Sequence, residues 1–362
     1  MVVTKSLGNY IEYGDKVAFH PGYYIKEIID DCGLTQADFA RRLGTTPKNI
    51  SLLVRGEQSL SVDIANKLSM MLGTSISYWL NLQQAYDVMT AEFMRLNELE
   101  RERATFKLID YNYFRDNMGL PDLPRKVDEQ IDVVRRFLSV SSLTVLEEKD
   151  LAVDFRDYID ELSLANLVNS NAMVQIAINE TLKARIPQFD KKKFEACLEN
   201  VLLQTKNHDG FLESTKAMLE ETGVYLVVLP NLKNSGINGA TKRVDGKVMI
   251  FVNDRRHYED TFWFTLFHEI GHVLNGNLGP TSERESEADE FARRMLIPEE
   301  AYCDFIKNCD YSNERNIISF ANSINRDPGI VLGRLLIERK VKYSDIKLCR
   351  KFRHIFDLTR TL

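Results

Sequence analysis

The sequence predicts a mainly α-helical protein with one small β-sheet, an α+β fold. Short apolar-periodic blocks divided by Gly and Pro fill residues 21–86, and Glu-, Lys- and Leu-rich segments with few glycines follow them. A β-rich run near residue 224 then precedes further helical segments. With 362 residues, 44% of them hydrophobic and 28% charged, the chain can bury full cores in two or three domains, which excludes disordered and fibrous classes.

Charge and cysteine content narrow the class further. The net charge of −6 gives no overall basic field, so any DNA binding must come from a local surface. The five cysteines form no CxxC pair, which favours reduced thiols over a disulfide framework. The amino terminus lacks the pattern of a signal peptide, and no apolar run approaches the ~20 residues of a membrane span. We therefore expect a soluble cytoplasmic protein with no membrane partner.

Residues 21–86 predict five short helices, which together make one small all-α domain. Thr35 is a hydroxyl N-cap for the second helix, and that helix ends at Gly44. Pro47 suits the first turn of the third helix, which stops before Gly56.

The second and third predicted helices, joined at Leu43-Gly44-Thr45, have the pattern of a helix-turn-helix. In that motif the later helix enters the major groove, so its first and outward residues meet bases and phosphates. The candidates for DNA contact are Gln36, Thr46, Lys48, Asn49, Ser51 and Arg55. The alternative is an ordinary three-helix packing unit, since six basic and six acidic residues balance between Pro21 and Tyr86.

The rest of the chain divides into a helical connector and a second domain. Breaks at Gly119-Leu120-Pro121, at 139–142 and at Pro187 separate helical segments that carry no concentrated chemistry. From Gly223, two β-rich segments flank Asp245-Gly246, which predicts a type I′ hairpin turn ahead of a long helix near Asp260, its candidate N-cap. We expect domains at 1–90, 91–215 and 216–362.

The segment TFWFTLFHEIGHVLNG contains an HExxH motif. His268 and His272 are four residues apart and share one face of a helix, and Glu269 follows the first of them. Two neutral imidazoles can hold a divalent metal, while the glutamate can take a proton from water there. The alternative is a polar patch on a buried helix, but burial of three such side chains without partners would be costly.

A tetrahedral catalytic zinc needs a third protein ligand, and the downstream segment SERESEADEFARRMLIP offers several acids. On a helix, Glu285 lies about 60° and Glu287 about 100° from the centre of the buried stripe. The stripe consists of Ala288, Phe291, Ala292, Met295 and Leu296. Glu285 is therefore the predicted ligand, and Asp289, one turn on, could orient a histidine. The alternative makes Ser282 and Glu285 a capping box.

The other histidines are predicted to have no catalytic role. We expect His20, His208 and His354 to be structural. His257 lies close to the predicted active helix, where we favour a surface role over hydrogen-bond donation to an oxyanion.

Several segments of the first domain match one family signature: His20-Pro21-Gly22, Leu34-Thr35-Gln36, Leu43-Gly44, Gly56 and Trp79-Leu80-Asn81-Leu82-Gln83. In these residues the domain resembles the Xre-type DNA-binding domain of HigA-like antitoxins. The resemblance implies a homodimer that binds double-stranded DNA at a palindromic operator.

A second resemblance covers the chain from Gly223 onward. The matching segments are Asn238-Gly239-Ala240-Thr241, 264–272, Glu285 to Asp289, Met295-Leu296-Ile297-Pro298 and Asp327 to Leu336. They are similar to the ImmA/IrrE metallopeptidase family. This resemblance implies a zincin-like, gluzincin-type domain with one Zn²⁺ per chain, held by His268, His272 and Glu285 with Glu269 as catalytic residue.

Together the two halves predict a DNA-binding transcriptional regulator, or antitoxin-like protein, with a zinc-dependent endopeptidase domain. The expected substrate is a protein partner: a repressor, a toxin or the chain itself. The strand around residues 237–243 could hold substrate backbone by strand addition. The alternative is a non-proteolytic antitoxin or repressor whose metal domain is a sensor or a partner-binding module.

Overall fold

The computed structural model describes residues 5–6, 9–13, 16–148, 163–276 and 282–358. It divides into two compact units, Met1–Arg101 and Glu102–Leu362, called here the N-terminal and C-terminal units. Helices predominate and two small sheets accompany them, so the predicted α+β class is confirmed. The three-part division at residues 90 and 215 stays a prediction. Among the described helices, none combines the length and apolarity needed to cross a membrane.

The N-terminal unit begins with a three-stranded antiparallel sheet that the sequence did not predict. Its strands are β1 (Lys5–Ser6), β2 (Tyr10–Tyr13) and β3 (Lys16–Phe19), in that order across the sheet. Strands of two to four residues are too short to display the alternation from which strands are inferred.

Five helices follow the sheet, the number that was predicted: α1 (Pro21–Asp31), α2 (Gln36–Leu43), α3 (Pro47–Val54), α4 (Val62–Leu72) and α5 (Ile76–Phe106). The prediction that all five are short and end by residue 86 is wrong for α5, which has 31 residues. The predicted cap at Thr35 is confirmed, because its hydroxyl oxygen accepts a hydrogen bond of 3.1 Å from the Asp38 N–H. Thr46, a candidate DNA contact, caps α3 in the same way at 3.2 Å. Gly44 ends α2 with a left-handed φ of 69°. The helices enclose a core that includes Ile25, Phe39, Ile50, Leu53, Leu68 and Trp79.

The C-terminal unit first forms a group of helices: α6 (Tyr111–Met118), α7 (Val127–Leu138), α8 (Leu164–Lys183), α9 (Lys191–Leu203) and α10 (Phe211–Glu220). The predicted breaks at Gly119 and Ser139 are confirmed, since both residues end helices with left-handed φ angles of 68° and 57°. Short 3₁₀ turns at Leu143–Glu147 and Gln204–Lys206 link neighbouring helices.

The predicted sheet of this unit has three strands, β4 (Val224–Leu229), β5 (Gly239–Val244) and β6 (Lys247–Asn253). The fully buried β6 is central; it runs parallel to β4 and antiparallel to β5. Asp245 and Gly246 both have positive φ, at 49° and 74°, as a type I′ turn requires, so the predicted hairpin is confirmed. This order leaves β5 at an edge of the sheet.

Six helices complete the unit: α11 (Glu259–Asn275), α12 (Ser282–Leu296), α13 (Glu299–Asn308), α14 (Glu314–Ser323), α15 (Pro328–Ile337) and α16 (Ile346–Phe352). α11 packs on β5, β6, α12 and α15, and its apolar residues join one large core. The expectation that Asp260 caps α11 is wrong, because the N-cap is Tyr258. Asp260 instead accepts two hydrogen bonds from Arg353, at 3.1 and 3.0 Å.

Candidate metal centre and nucleic-acid interface

α11 and α12 bring the three predicted metal ligands together. Nε2 of His268 lies 3.1 Å from Nε2 of His272 and 3.1 Å from Oε2 of Glu285. Nε2 of His272 lies 3.3 Å from Oε1 of Glu285. Two ring nitrogens and one carboxylate therefore converge on one point between the two helices.

Asp289 occupies the second position that was predicted from helical periodicity. Its Oδ1 lies 2.9 Å from Nδ1 of His268, so this histidine has a carboxylate at each ring nitrogen. A carboxylate at Nδ1 fixes the proton there and leaves Nε2 as a lone-pair donor. Asp289 also lies 3.6 Å from Arg293, one turn further along α12.

The close approach of α11 and α12 depends on small residues. Gly271, within the HExxH segment, lies against Ala288; a Cβ built on Gly271 would stand 3.2 Å from the Ala288 Cα. The predicted stripe is confirmed, with Ala288, Ala292 and Leu296 buried and Phe291 and Met295 packed against the core. This packing sets the spacing across which Glu285 meets the two histidines.

The side chain of Glu269 contacts the sheet. Its side chain is buried, and its Oε2 accepts a hydrogen bond of 2.7 Å from the hydroxyl of Thr241 on β5. Gly239, on the same strand, leaves room for the carboxylate, since a Cβ there would stand 2.7 Å from Oε1 of Glu269. The edge strand thus positions the predicted catalytic residue.

Burial and hydrogen bonding act in opposite directions on the acids and bases of the site. Burial disfavours the charged form of His268, but the bonds to Asp289 and Glu285 outweigh it and raise the pKa of His268 to about 10. For Glu285, burial is again outweighed, and the bonds from both histidines lower the pKa to about 2. Glu285 is therefore held as a carboxylate. Burial raises the pKa of Glu269.

The residues present fit a divalent transition metal. The ligand atoms of His268, His272 and Glu285 all lie within 4.8 Å of one another. Two imidazole nitrogens and one carboxylate are a donor set of catalytic zinc sites, which keep a fourth position open. Glu269 lies beside this group without belonging to it.

The other predicted candidates near the motif lie apart from this centre. Glu287 is exposed, as is His257, whose φ of 57° places it in a turn before α11. His20 has the structural role predicted for it, as N-cap of α1: its Nδ1 accepts from the Gly22 N–H at 3.0 Å. The side chain of Ser282 lies outside the described residues, so the alternative capping box stays a prediction.

In the N-terminal unit, the candidate DNA contacts line the start and end of α3 and the start of α2. Gln36, Thr46, Lys48 and Arg55 are exposed, and Ser51 is half-buried. The Thr46 hydroxyl oxygen accepts from the Asn49 N–H, and Arg55 pairs with Glu57 at 3.0 Å. Of these candidates, Lys48 presents an exposed cation at the first turn of α3.

Asn49 differs from the other candidates because its amide has intramolecular partners. Its Nδ2 donates to the Thr45 hydroxyl at 2.8 Å, and its Oδ1 accepts from Nε2 of Gln58 at 2.6 Å. The side chain thereby ties the turn before α3 to the loop after it. To contact a base, Asn49 would have to replace these two hydrogen bonds by bonds to the base.

Comparison with known proteins agrees with both halves of this geometry. Residues 25–79 match the helix-turn-helix family, and residues 220–323 match the IrrE N-terminal-like domain. The HTH-type transcriptional regulator YddM of Escherichia coli (strain K12) is 38% identical over 79 residues, which are 21% of this chain and 84% of that protein. The chain belongs to the Xre-type helix-turn-helix family, fused to an IrrE/ImmA-like domain.

Two further relatives each match about a fifth of the chain. Virulence-associated protein I of Dichelobacter nodosus is 34% identical over 76 residues, 21% of this chain and 70% of that protein. The solved structure of antitoxin GraA is 35% identical, and the match covers 22% of this chain and 88% of that one; its TM-score of 0.21 carries no structural argument. Both predicted family resemblances are confirmed by the two domain matches.

Sequence reasoning missed the residues that position the HExxH glutamate of the IrrE-like domain. Thr241 and Gly239 belong to the family resemblance, but no role is predicted for either of them. The available signal was a threonine at an inward position of an edge strand, close to a motif that contains a glutamate. Its partner became evident only from the packing of β5 on α11.

Proposed function

We propose that this protein is a DNA-binding transcriptional regulator whose IrrE-like domain is a zinc-dependent endopeptidase acting on a protein partner. The observation that carries the proposal is the convergence of His268, His272 and Glu285 beside a buried Glu269. We expect the partner to be a toxin, a repressor or a second copy of the chain, met in the cytoplasm. The expected domains are 1–90, 91–215 and 216–362.

In this proposal His268, His272 and Glu285 hold one Zn²⁺ per chain. When bound, zinc supplies Lewis-acid chemistry: it polarises a peptide carbonyl and lowers the pKa of water. Asp289 keeps the proton of His268 on Nδ1, 2.9 Å away, so that Nε2 serves as ligand.

Glu269 is the proposed general base and then general acid. One of its oxygens is held by the Thr241 hydroxyl, and the other faces the space that Gly239 leaves open. The free oxygen takes a proton from the attacking water and returns it to the leaving amine. Substrate backbone is expected to add to the edge of β5, which places the scissile bond near this carboxylate.

The peptidase proposal is tested with zinc-loaded full-length protein and two variants on neighbouring helices. Glu269→Gln keeps the side-chain shape but cannot accept the proton; Glu290→Gln is the control, since Glu290 pairs with Arg294 at 2.8 Å. The substrates are the chain itself and the product of the adjacent gene, with fragments identified by mass spectrometry. Cleavage by the wild type and Glu290→Gln alone supports the proposal, and equal cleavage by Glu269→Gln overturns it.

The regulator half is tested on the duplex upstream of the protein's own gene. Lys48→Ala should weaken binding about tenfold and reduce the salt dependence by about one counterion. Lys26→Ala is the matched control, because Lys26 is an exposed lysine of the same unit on α1. A wild-type protein that binds unrelated duplexes equally well would contradict specific recognition. A homodimer on a palindrome predicts two chains per duplex.

A further inference from the structure

Four side chains outside the HExxH region lie together in the C-terminal unit. They are His208, Glu259, Asp327 and His354, and we call them the second cluster. His208 precedes α10, Glu259 is the first residue of α11, Asp327 is the N-cap of α15 and His354 follows α16. Sequence reasoning treated both histidines as structural. The ligand atoms of His208, Asp327 and His354 lie within 4.8 Å of one another.

His208 has the same two-sided environment as His268 of the first centre. Nδ1 of His208 lies 2.7 Å from Oε2 of Glu259, and Nε2 lies 3.3 Å from Oδ2 of Asp327. In the first centre the corresponding distances of His268, to Asp289 and Glu285, are 2.9 and 3.1 Å. Each site thus has one carboxylate behind the histidine and another in front of it.

The second histidine is placed differently in the two centres, since the rings of His268 and His272 stand 4.8 Å apart at 81°. The ring of His354 lies against that of His208, with 3.7 Å between centroids and 27° between planes. Because the lone pair of an imidazole nitrogen lies in the plane of its ring, a cation shared by both histidines requires the His354 ring to turn out of this stack. A mixed imidazole and carboxylate set suits divalent transition metals such as zinc, cobalt or iron.

The backbone holds the cluster in place independently of any metal. Asp327 caps α15 through Oδ1, which accepts from the Gly329 N–H at 2.7 Å, so its Oδ2 remains directed at His208. The N–H of Glu259 donates to the carbonyl of His354 at 3.0 Å, which fastens the segment after α16 to the start of α11. Three separate elements therefore fix the backbone positions of Asp327, Glu259 and His354.

The cluster is also reachable from solvent. The side chain of His208 is 31% exposed, while those of Glu259 and Asp327 are 10% and 13% exposed. A cavity of about 480 Å³ borders His208 and Glu259 and is otherwise lined by residues of 209–213 and 355–358. A metal site needs such an entry path as well as its ligands.

We propose that the second cluster is a further divalent transition-metal site, with His208 Nε2, His354 and Asp327 as ligands and Glu259 as the residue that orients His208. Its role is to join the segment after α16 to the starts of α10, α11 and α15. The proposal is independent of peptidase activity, because it concerns metal binding by residues that the proposed reaction does not use.

The experiment is a Co²⁺ titration of metal-free full-length protein, followed by visible absorption and by metal analysis after gel filtration. The wild type should bind two equivalents. His272→Ala, which disables the first centre, and Asp327→Asn, which disables the second, should each bind one equivalent. The double variant should bind none.

Asp327→Asn suits this test because asparagine keeps the helix cap while it loses the charged ligand. Asp345→Asn is the matched control, since Asp345 caps α16 through the Leu348 N–H at 3.1 Å; it should retain two equivalents. Circular dichroism verifies that each variant is folded. Asp327→Asn that binds as much Co²⁺ as the wild type would overturn the proposal. A single equivalent in the wild type that is lost in Asp327→Asn and kept in His272→Ala would support the second cluster and contradict the first centre alone.

Discussion

The hydroxyl of Thr241 on β5 donates a 2.7 Å hydrogen bond to Oε2 of Glu269 on α11. This bond joins the edge strand of the sheet to the helix that carries the HExxH motif. Glu269 is buried and burial raises its pKa, while the bond from Thr241 favours the ionised form. The strand therefore fixes the position of this carboxylate and favours its ionised form.

Replacement of Thr241 by valine should destabilise the C-terminal unit. The variant keeps the side-chain shape but leaves a buried carboxylate oxygen without its partner, which costs about 1–3 kcal/mol of unfolding free energy. Urea unfolding of metal-free protein measures this cost, with Trp263 as reporter in a Trp79→Phe background. Thr241→Ser, which retains a hydroxyl, is the control. Equal unfolding free energies for the valine and serine variants would refute the role of the bond.

Removal of the Asp289 carboxylate should weaken zinc binding at the first centre. Partners that orient a ligating histidine typically account for 10–100-fold in metal affinity, so we expect a loss of about that size in Asp289→Ala. Competition with a chromophoric zinc chelator gives the dissociation constant. Glu290→Ala controls for the loss of a neighbouring acid on α12 that contacts Arg294 instead of a histidine. A similar loss in both variants would indicate a general charge effect.

An alanine at Gly239 should impair cleavage while it spares zinc binding. Its Cβ would lie 2.7 Å from Oε1 of Glu269 and 2.9 Å from Cγ2 of Thr265, so the glutamate must shift. Misplacement of a catalytic group by about 1 Å can cost on the order of 100-fold in rate. Turnover and zinc affinity are measured on the same preparation. A parallel fall in zinc affinity would mean that the whole centre has moved, contrary to this prediction.

Much of this site follows from local sequence rules. The four-residue spacing places His268 and His272 on one face, and the angular position of Glu285 next to a buried stripe distinguishes it from Glu287. The cap at Thr35 follows equally from one residue and its neighbours. Periodicity and capping are properties of single elements, and a sequence displays them directly.

Contacts between distant elements could not be predicted in the same way. Thr241 meets Glu269, and His208 meets His354, only because packing brings separate elements together. Asn49 shows the converse: its polarity suggested a base contact, but the sequence does not reveal that Thr45 and Gln58 already bind its amide. Polar residue types indicate bonding capacity, whereas the fold determines the partner.

The N-terminal unit contains a histidine whose titration should affect stability. His20 is 1% exposed, and its Nδ1 accepts a 3.0 Å hydrogen bond from the Gly22 N–H at the start of α1. Burial lowers the pKa of His20, and the nearby charge of Asp87 offsets this only in part. The folded unit therefore binds fewer protons than the unfolded chain once the pH falls below the unfolded value of about 6.5.

Because the unfolded state then takes up more protons, the stability of the unit should fall as the pH decreases from about 7 to 5. A protonated Nδ1 also cannot accept the Gly22 N–H. His20→Asn retains a capping acceptor and does not titrate in this range, so its stability should depend less on pH. Urea unfolding at several pH values, followed by Trp79 in a Trp263→Phe background, measures both proteins. If the wild type and His20→Asn lose the same unfolding free energy between pH 7 and 5, other groups cause that loss and protonation of His20 does not contribute to it.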